Sequence, residues 1–281
     1  MTDLRLDGKV AVVTGATSGV GRATALVWAQ RGAKVVACGR REELGQQLEA
    51  EVRDAGGELT FVAADVSKAD HCKRLIATAA EQHGRLDVLL NNAGVEGDVV
   101  DFHTLSEQQW DSVVDINLKG AFLCSRYAVE QLVAQGQGGL LLHIASINAV
   151  EALANMAPYN TAKAGLIQLS RTIAVEYLLR GIRSNAVVLG GAEGDTQERT
   201  QDQIAKRLRG PDYERPSEPD PMAALLIQSA EDVAAFLAHL AHDDARLMTG
   251  ATVALDRAMT AGFTSSMTIQ MTTAGWWGAP S

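Results

Sequence analysis

The stretch Lys9-Val10-Ala11-Val12-Val13-Thr14-Gly15-Ala16-Thr17-Ser18-Gly19-Val20-Gly21 decides the fold. Its first half is a short apolar run rich in β-branched residues, the pattern of a buried strand. Three glycines follow at once. Ala23, Leu26, Val27 and Ala29 then repeat at helical spacing as far as Arg31-Gly32. Strand, glycine-rich turn and helix, in that order, form the context that a dinucleotide fingerprint requires. The glycines let backbone approach a pyrophosphate, and the helix N-terminus binds its charge. A plain tight turn between strand and helix would use some of the same residues. The spacing of three glycines in this context favours cofactor binding, with Gly15, Thr17, Ser18, Gly19, Val20 and Gly21 as the contact residues.

The second strand, residues 33–38, is followed by Gly39-Arg40-Arg41. An NAD site would place a carboxylate here for the ribose 2′-hydroxyl. A glycine and two arginines stand there instead, and a guanidinium fork suits a 2′-phosphate. Two solvated loop arginines would read the same way. The missing acid and the present base together favour NADP(H), with Arg40 as the contact and NAD(H) as the second candidate.

Further along, the pattern predicts an exposed helix at 42–55, a strand at 59–63 closed by Asp65, and an amphipathic helix at 69–83. A fourth strand at 86–90 ends in Asn91-Asn92-Ala93-Gly94. Strands alternating with helices of this length imply a doubly wound parallel sheet with helices on both faces. Ligands of such sheets bind beyond the carboxyl ends of the strands, which is where Asp65, Val66, Asn92, Ala93 and Gly94 fall. Ser106 is placed to cap a helix from Glu107, and helical pattern continues through Asn117 to Val133. A fifth strand, 140–146, ends in Ser146 and contains His143, read as a core histidine with a hydrogen-bond partner. A sixth, 182–188, runs into Gly190, expected to contact the cofactor, and Gly191. Residues 232–241 read as helix and 252–255 as a last short strand.

Between the fifth and sixth strands lies Ala157-Pro158-Tyr159-Asn160-Thr161-Ala162-Lys163. Residues four apart share a helix face, so Tyr159 and Lys163 can point at one spot. Pro158 suits a first helical turn. A lysine ammonium and a helix N-terminus both favour tyrosinate, so the expected effect is a lowered tyrosine pKa and a phenolic acid/base.

Composition narrows the functions. The chain has 281 residues, a net charge of −9, 47 % hydrophobic and 21 % charged residues. One large domain is expected over residues 1–263, with no general attraction for nucleic acid or anionic membrane. Cys38, Cys72 and Cys124 form neither a disulfide framework nor a zinc spacing, so no metal site is expected. No apolar signal core or membrane span is read, and the expected location is cytoplasmic. Residues 191–228 hold most of the prolines and many charges. Long segments of this kind are usually functional, and it is read as an irregular substrate lid whose apolar cluster lies at 222–227. Residues 264–281 form a charge-free tail.

Taken together, Thr14-Gly15-x-x-x-Gly19-x-Gly21, Asp65, Asn91-Asn92-Ala93-Gly94, Asn117, Ser146 and Tyr159-x-x-x-Lys163 resemble the short-chain dehydrogenase/reductase family from about Leu6 to about Asp256. The resemblance implies one Rossmann-like domain with a seven-stranded parallel sheet and an oxidoreductase acting on a small-molecule ketone or secondary alcohol. It implies that Tyr159 exchanges a proton with the substrate oxygen and that Lys163 holds the nicotinamide ribose. Ser146 would orient the substrate oxygen, and Asn117 would anchor a water chain. Glu96, Asn148, Met156 and Gly191 flank these positions and are expected to line the substrate side with Ser146 and Tyr159. Three departures stand out: Ala145 for a serine, Leu189 for a proline, and Arg257-Ala258 for the Gly-Gly that often follows the last strand. The Leu189 change would let the 191–228 segment begin differently. A cofactor-retaining epimerase or dehydratase and a non-catalytic NADP-binding regulator are the competing classes. Apolar residues on more than one stripe of the Asn117 and Tyr159 helices, together with the tryptophans of the tail, lead to an expected homo-oligomer, a tetramer or a dimer.

Overall fold

The computed structural model describes residues 4–192, 195–210, 212–214 and 226–263. Strand and helix alternate along most of the chain: β1 (Val10–Thr14), α1 (Gly19–Gln30), β2 (Lys34–Gly39), α2 (Glu42–Asp54), β3 (Glu58–Ala63), α3 (Ala69–His83) and β4 (Val88–Asn91). Then come α4 (Glu107–Val114), α5 (Gly120–Gln135), β5 (Gly139–Ser146), α6 (Ala157–Glu176), β6 (Ile182–Leu189), α7 (Asp195–Arg209), α8 (Ala230–Ala241) and β7 (Thr252–Leu255). The seven strands form one parallel sheet in the order β3-β2-β1-β4-β5-β6-β7. The chain winds outward from β1 to β3, returns to β4 and winds the other way. The reversal opens a crevice at the carboxyl ends of β1 and β4.

Successive strand side chains face opposite layers. In β1, Ala11 and Val13 join the layer of α1, α2 and α8, which contains Trp28, Leu48 and Leu237. Val10 and Val12 join the layer of α3 and α5, which contains Leu75, Leu123 and Leu132. All three cysteines are free and buried, and they lie together in this second layer despite their separation in sequence. Ser106 caps α4 through a reciprocal pair: Gln109 N donates to its hydroxyl at 3.2 Å and Ser106 N donates to Gln109 Oε1 at 3.0 Å. Among the described residues no helix is long and apolar enough to cross a membrane.

Three expectations change, and one noted departure gains a geometry. The segment after Gly191 is not irregular throughout, because residues 195–209 form α7. Its apolar content is low, and i,i+4 pairs such as Lys206–Asp202 at 2.8 Å support it instead. The backbone at Leu189 keeps regular pairing: Leu189 sits opposite Leu255, and Gly190 N donates to Leu255 O at 3.1 Å. Gly191–Ala192 then pairs in parallel with Ile227–Gln228. Most of the apolar residues read as a second stripe are already consumed by the core: Ala121, Leu123, Ala128, Leu132, Leu166 and Ile173 are buried within the chain. What stays outside is Phe122, Val175, Leu178 and Leu179. Finally, Arg257 and Ala258 adopt φ of +50° and +66°, the left-handed backbone that glycines would take without strain. The Asp256 carboxylate holds this turn, accepting from Ala258 N at 3.0 Å, Thr260 N at 2.9 Å and the Thr260 hydroxyl. The tail 264–281 and the residues 222–225 of the expected apolar cluster lie outside the described residues.

Candidate active site

A single cavity of about 650 Å³ runs along the carboxyl ends of the central strands. One end is the turn after β1. Gly15 and Gly19 take φ of +70° and +52°, and a Cβ on Gly15 would stand 2.7 Å from Ala93 Cα. Ser18 precedes α1 in extended conformation without a side-chain capping bond, and the first turn of α1 carries no acid. Its orphan N–H groups therefore remain for an anion at the cavity wall. Gly15, Thr17, Ser18, Gly19 and Val20 line the cavity. Gly21 does not: its Cα packs where a side chain would collide with Asn92 Nδ2 and Gly15 O, so it is a close-packing glycine.

Arg40 lies on the rim beside this turn, as read from sequence. Arg41, passed over in that reading, reaches further in. Its guanidinium donates to Thr17 Oγ1 at 3.0 Å and to Ser18 Oγ at 2.7 Å. Asp65 and Val66 form the next part of the wall. Burial acts to raise the Asp65 carboxyl, but bonds from Ser67 and the charges of Arg40 and Lys68 hold it below the usual range. Asn92, Ala93 and Gly94 follow. Thr14 Oγ1 accepts from Asn92 N and Ala93 N, each at 3.0 Å, which fixes this loop to β1.

Further along the strand ends, β5 delivers Ser146 and α6 delivers Tyr159 and Lys163, all three on the cavity wall. Lys163 is buried and donates to Ile144 O at 2.7 Å. Burial lowers its pKa to about 8, with Glu96 pulling the other way. Its Nζ stands 5.5 Å from the centre of the Tyr159 ring. The expected lowering of the Tyr159 pKa is not seen. Burial, reinforced by the nearby Glu96 carboxylate, raises it, and the hydrogen bond with Ser146 only partly opposes that. The lysine charge that was expected to stabilise a tyrosinate is itself spent on a backbone carbonyl.

Asn117 does not reach the cavity. It lies in a wide turn, Asp115–Lys119, between α4 and α5, where its amide donates to Val95 O at 2.7 Å and Val113 O at 2.9 Å. Its Oδ1 is buried without a partner and faces Gly94, where a Cβ would meet it at 2.7 Å and Lys163 Nζ at 3.4 Å. Glycine at 94 thus lets Asn117 and Lys163 converge.

The substrate side contains Glu96, Asn148, Met156 and Gly191, and Gly190, read as a cofactor residue, lies on the same wall. Asn148 N donates to Ser146 Oγ at 3.2 Å and its amide to Asn160 Oδ1 at 3.0 Å, so Asn148 also orients the serine. Sequence reading missed Leu153, Met259 and the α7 residues Arg199, Thr200 and Ile204, which complete the enclosure. Spacing of charges was the signal for α7, and the lack of an apolar stripe hid it. α7 is fastened to the loop after β4: Arg207 pairs with Asp101 at 2.5 Å, and Val99 N donates to Gln203 Oε1 at 3.3 Å. Asn155 donates to the same Asp101 oxygen at 2.7 Å.

Known proteins resemble this arrangement. The chain is 35 % identical over 270 residues to a 3beta-hydroxysteroid dehydrogenase of Mediterraneibacter gnavus, covering 91 % of this chain and 96 % of the relative. It is 36 % identical over 253 residues to a cis-4-hydroxycyclohexanecarboxylate dehydrogenase of Sinomonas cyclohexanicum, covering 90 % and 97 %. Among solved structures, levodione reductase superposes with a TM-score of 0.83 at 29 % identity over 92 % of this chain and all of the other. Carveol dehydrogenase from Mycobacterium avium, in complex with NAD, superposes at 0.81 with 30 % identity, covering 90 % and 98 %. Residues 9–205 match the short chain dehydrogenase family, and with the sheet order and the glycine turn this chain belongs to that family of oxidoreductases.

Proposed function

We propose that this protein moves a hydride between NADP(H) and a ketone or secondary alcohol on a medium-sized, largely apolar body, with Tyr159 exchanging the proton. The observation behind this reading is one cavity whose wall carries a glycine turn and two arginines and, further along, Ser146, Tyr159 and Lys163. When bound, the nicotinamide cofactor supplies or accepts the hydride. The chain's residues fit such a group: the uncapped first turn of α1 suits a pyrophosphate, and Arg40 and Arg41 suit a 2′-phosphate. Asp65, Val66, Asn92, Ala93, Gly94 and Gly190 form the wall between. Lys163 and Tyr159 are placed for the nicotinamide ribose.

Burial keeps Tyr159 protonated at neutral pH, the state that donates to a carbonyl oxygen. The Ser146 hydroxyl beside it fixes where that oxygen sits. Lys163, with a pKa of about 8, carries its charge at neutral pH on the same side. Two relatives are named for hydroxyl groups on rings, a hydroxysteroid and a hydroxycyclohexanecarboxylate, and Leu153, Met156, Ile204 and Met259 offer an apolar wall for a ring. α7 closes that wall as a lid.

The test is cofactor consumption against a panel of cyclic ketones and alcohols with each cofactor. Stoichiometric NADPH oxidation with higher kcat/KM than NADH supports the reading. Product without net cofactor change would point to an epimerase or dehydratase, and binding without turnover to a regulator. We also propose a homo-oligomer, tetramer or dimer, using the exposed Phe122, Val175, Leu178 and Leu179. Light scattering that finds a monomer at micromolar concentration removes this part.

A further inference from the structure

Glu96 lies on the loop after β4 and lines the cavity near Tyr159. Its Oε2 is shielded from solvent and has no hydrogen-bond partner. A carboxylate in that condition is costly, and proteins almost always pair it. The surrounding groups pair it only in part. Lys163 spends a bond on Ile144 O, and the charges of Lys163 and Arg199 favour the ionised carboxyl. Thr200, brought by α7, hydrogen-bonds the carboxylate, and Oε2 is left without a partner. Leu153, Met156, Ile204 and Met259 make much of the remaining wall apolar, and Glu96 is the carboxylate acceptor that a molecule in this half of the cavity meets besides Ser146 and Tyr159.

We propose that Glu96 is a second recognition point for substrate, accepting a hydrogen bond from a hydroxyl other than the reacting one, so that the preferred substrates are cyclic diols and the corresponding hydroxyketones. This rests on reading the site as that of a dehydrogenase and narrows its substrate class. The donor is a neutral hydroxyl for a charge reason. An ammonium would enter beside Lys163 and Arg199, and a carboxylate would face Glu96 itself. A site with a buried acceptor also rejects the analogue that lacks the donor, because that analogue leaves the acceptor unpaired.

The experiment measures kcat/KM for oxidation of cyclohexanol and of the 1,2-, 1,3- and 1,4-cyclohexanediols by the full chain with NADP. Glu96→Gln and Glu96→Leu are measured beside the wild type, with thermal melting as the control for folding. At least one diol is expected to exceed cyclohexanol by about ten- to a hundredfold in the wild type, mainly through KM. The ratio is expected to fall to within about twofold in Glu96→Leu and to recover in part in Glu96→Gln, whose amide oxygen still accepts. No diol preference in the wild type, or a preference unchanged in Glu96→Leu, overturns the proposal while leaving the dehydrogenase reading intact. Failure to oxidise any of the alcohols counts against the dehydrogenase reading instead. Recognition is then read from thermal-shift titrations of the same alcohols, and diols that bind wild type no more tightly than cyclohexanol overturn the role of Glu96.

Discussion

The two ends of the cavity are held in place by different means. The end with the glycine turn, Ser146, Tyr159 and Lys163 is made from strand termini and one long helix, and its supports are buried. Thr14 Oγ1 holds the Asn92 loop, Ile144 O holds Lys163, and behind β4 and β5 lies a buried polar network. In it Asn91 Nδ2 donates to Ser125 Oγ at 2.8 Å, and His143 bridges Asn91 at 3.3 Å and Ser184 at 3.2 Å. The other end is covered by α7, a helix of mostly polar residues held by surface contacts to Asp101 and Val99. Buried networks resist displacement, whereas exposed ion pairs are worth little. The proposed chemistry therefore lies where the sheet fixes it, and the proposed selectivity where the structure is easiest to change.

The largest effect should come from the rigid end. Tyr159→Phe is expected to lower turnover by a factor on the order of 10²–10⁴, the usual contribution of a positioned acid/base, while cofactor affinity measured by fluorescence titration stays near wild type. Turnover close to wild type would remove Tyr159 from the mechanism.

The next effect tests the support beneath it. His143 is fully buried, and burial lowers its pKa to about 4. Asn91 presents an N–H to Nδ1, so the ring proton sits on Nε2 and points to Ser184. Between pH 6.5 and 4 the unfolded chain binds this proton and the folded chain does not. The contribution to stability is therefore complete above pH 6.5 and lost as pH falls towards 4. From pH 7.5 to 4.5, wild type should lose about 2–3 kcal/mol more unfolding free energy than His143→Gln. Equal losses in urea titrations would show that His143 is not held neutral.

The same division explains what could be read from the sequence. Buried strands alternate with amphipathic helices, and glycines at 15 and 19 announce a turn with left-handed backbone, so the sheet and the motif end were legible. Ser146, Tyr159 and Lys163 do share a wall. The pKa of Tyr159 was not legible, because its sign depends on how deep the ring sits and on Glu96, which is distant in sequence. α7 was not legible either, since Asp202–Lys206 spacing is a weaker signal than an apolar stripe. The Arg257-Ala258 turn keeps a glycine-like backbone without glycine, and only the Asp256 hydrogen bonds show how.

Cofactor choice lies at the edge of the rigid end and should respond less. Arg41 is fixed by two hydroxyls, whereas Arg40 is exposed on the rim beside it. If Arg40 meets a 2′-phosphate, Arg40→Ala should shift the NADP-over-NAD ratio of kcat/KM by roughly ten- to a hundredfold, the cost of one hydrogen bond to a charged group. A wild type that uses both cofactors equally would end the preference.

The smallest effect belongs to the latch on α7. Asp101 collects Arg207 from α7 and Asn155 from the loop before α6, and Val100 N donates to Asn155 O at 2.9 Å. Arg207 and Asn155 hold the Asp101 carboxyl below the usual range although it is exposed. An exposed pair is screened by solvent and salt, so its loss cannot unseat the fold, yet it can change how long α7 stays down. Asp101→Ala should raise KM for a ring substrate by at most about fivefold and leave the melting temperature nearly unchanged. Arg207→Ala should match it, and the double variant should add little, because both remove the same contact. Amide exchange across residues 195–209 should quicken in both single variants, while β4 and β5 keep their protection. High salt should reproduce part of the effect in the wild type. If exchange in α7 is unchanged in Asp101→Ala, the helix is held by Thr200 and Ile204 from within, and the two ends of the cavity are more alike than their contacts suggest.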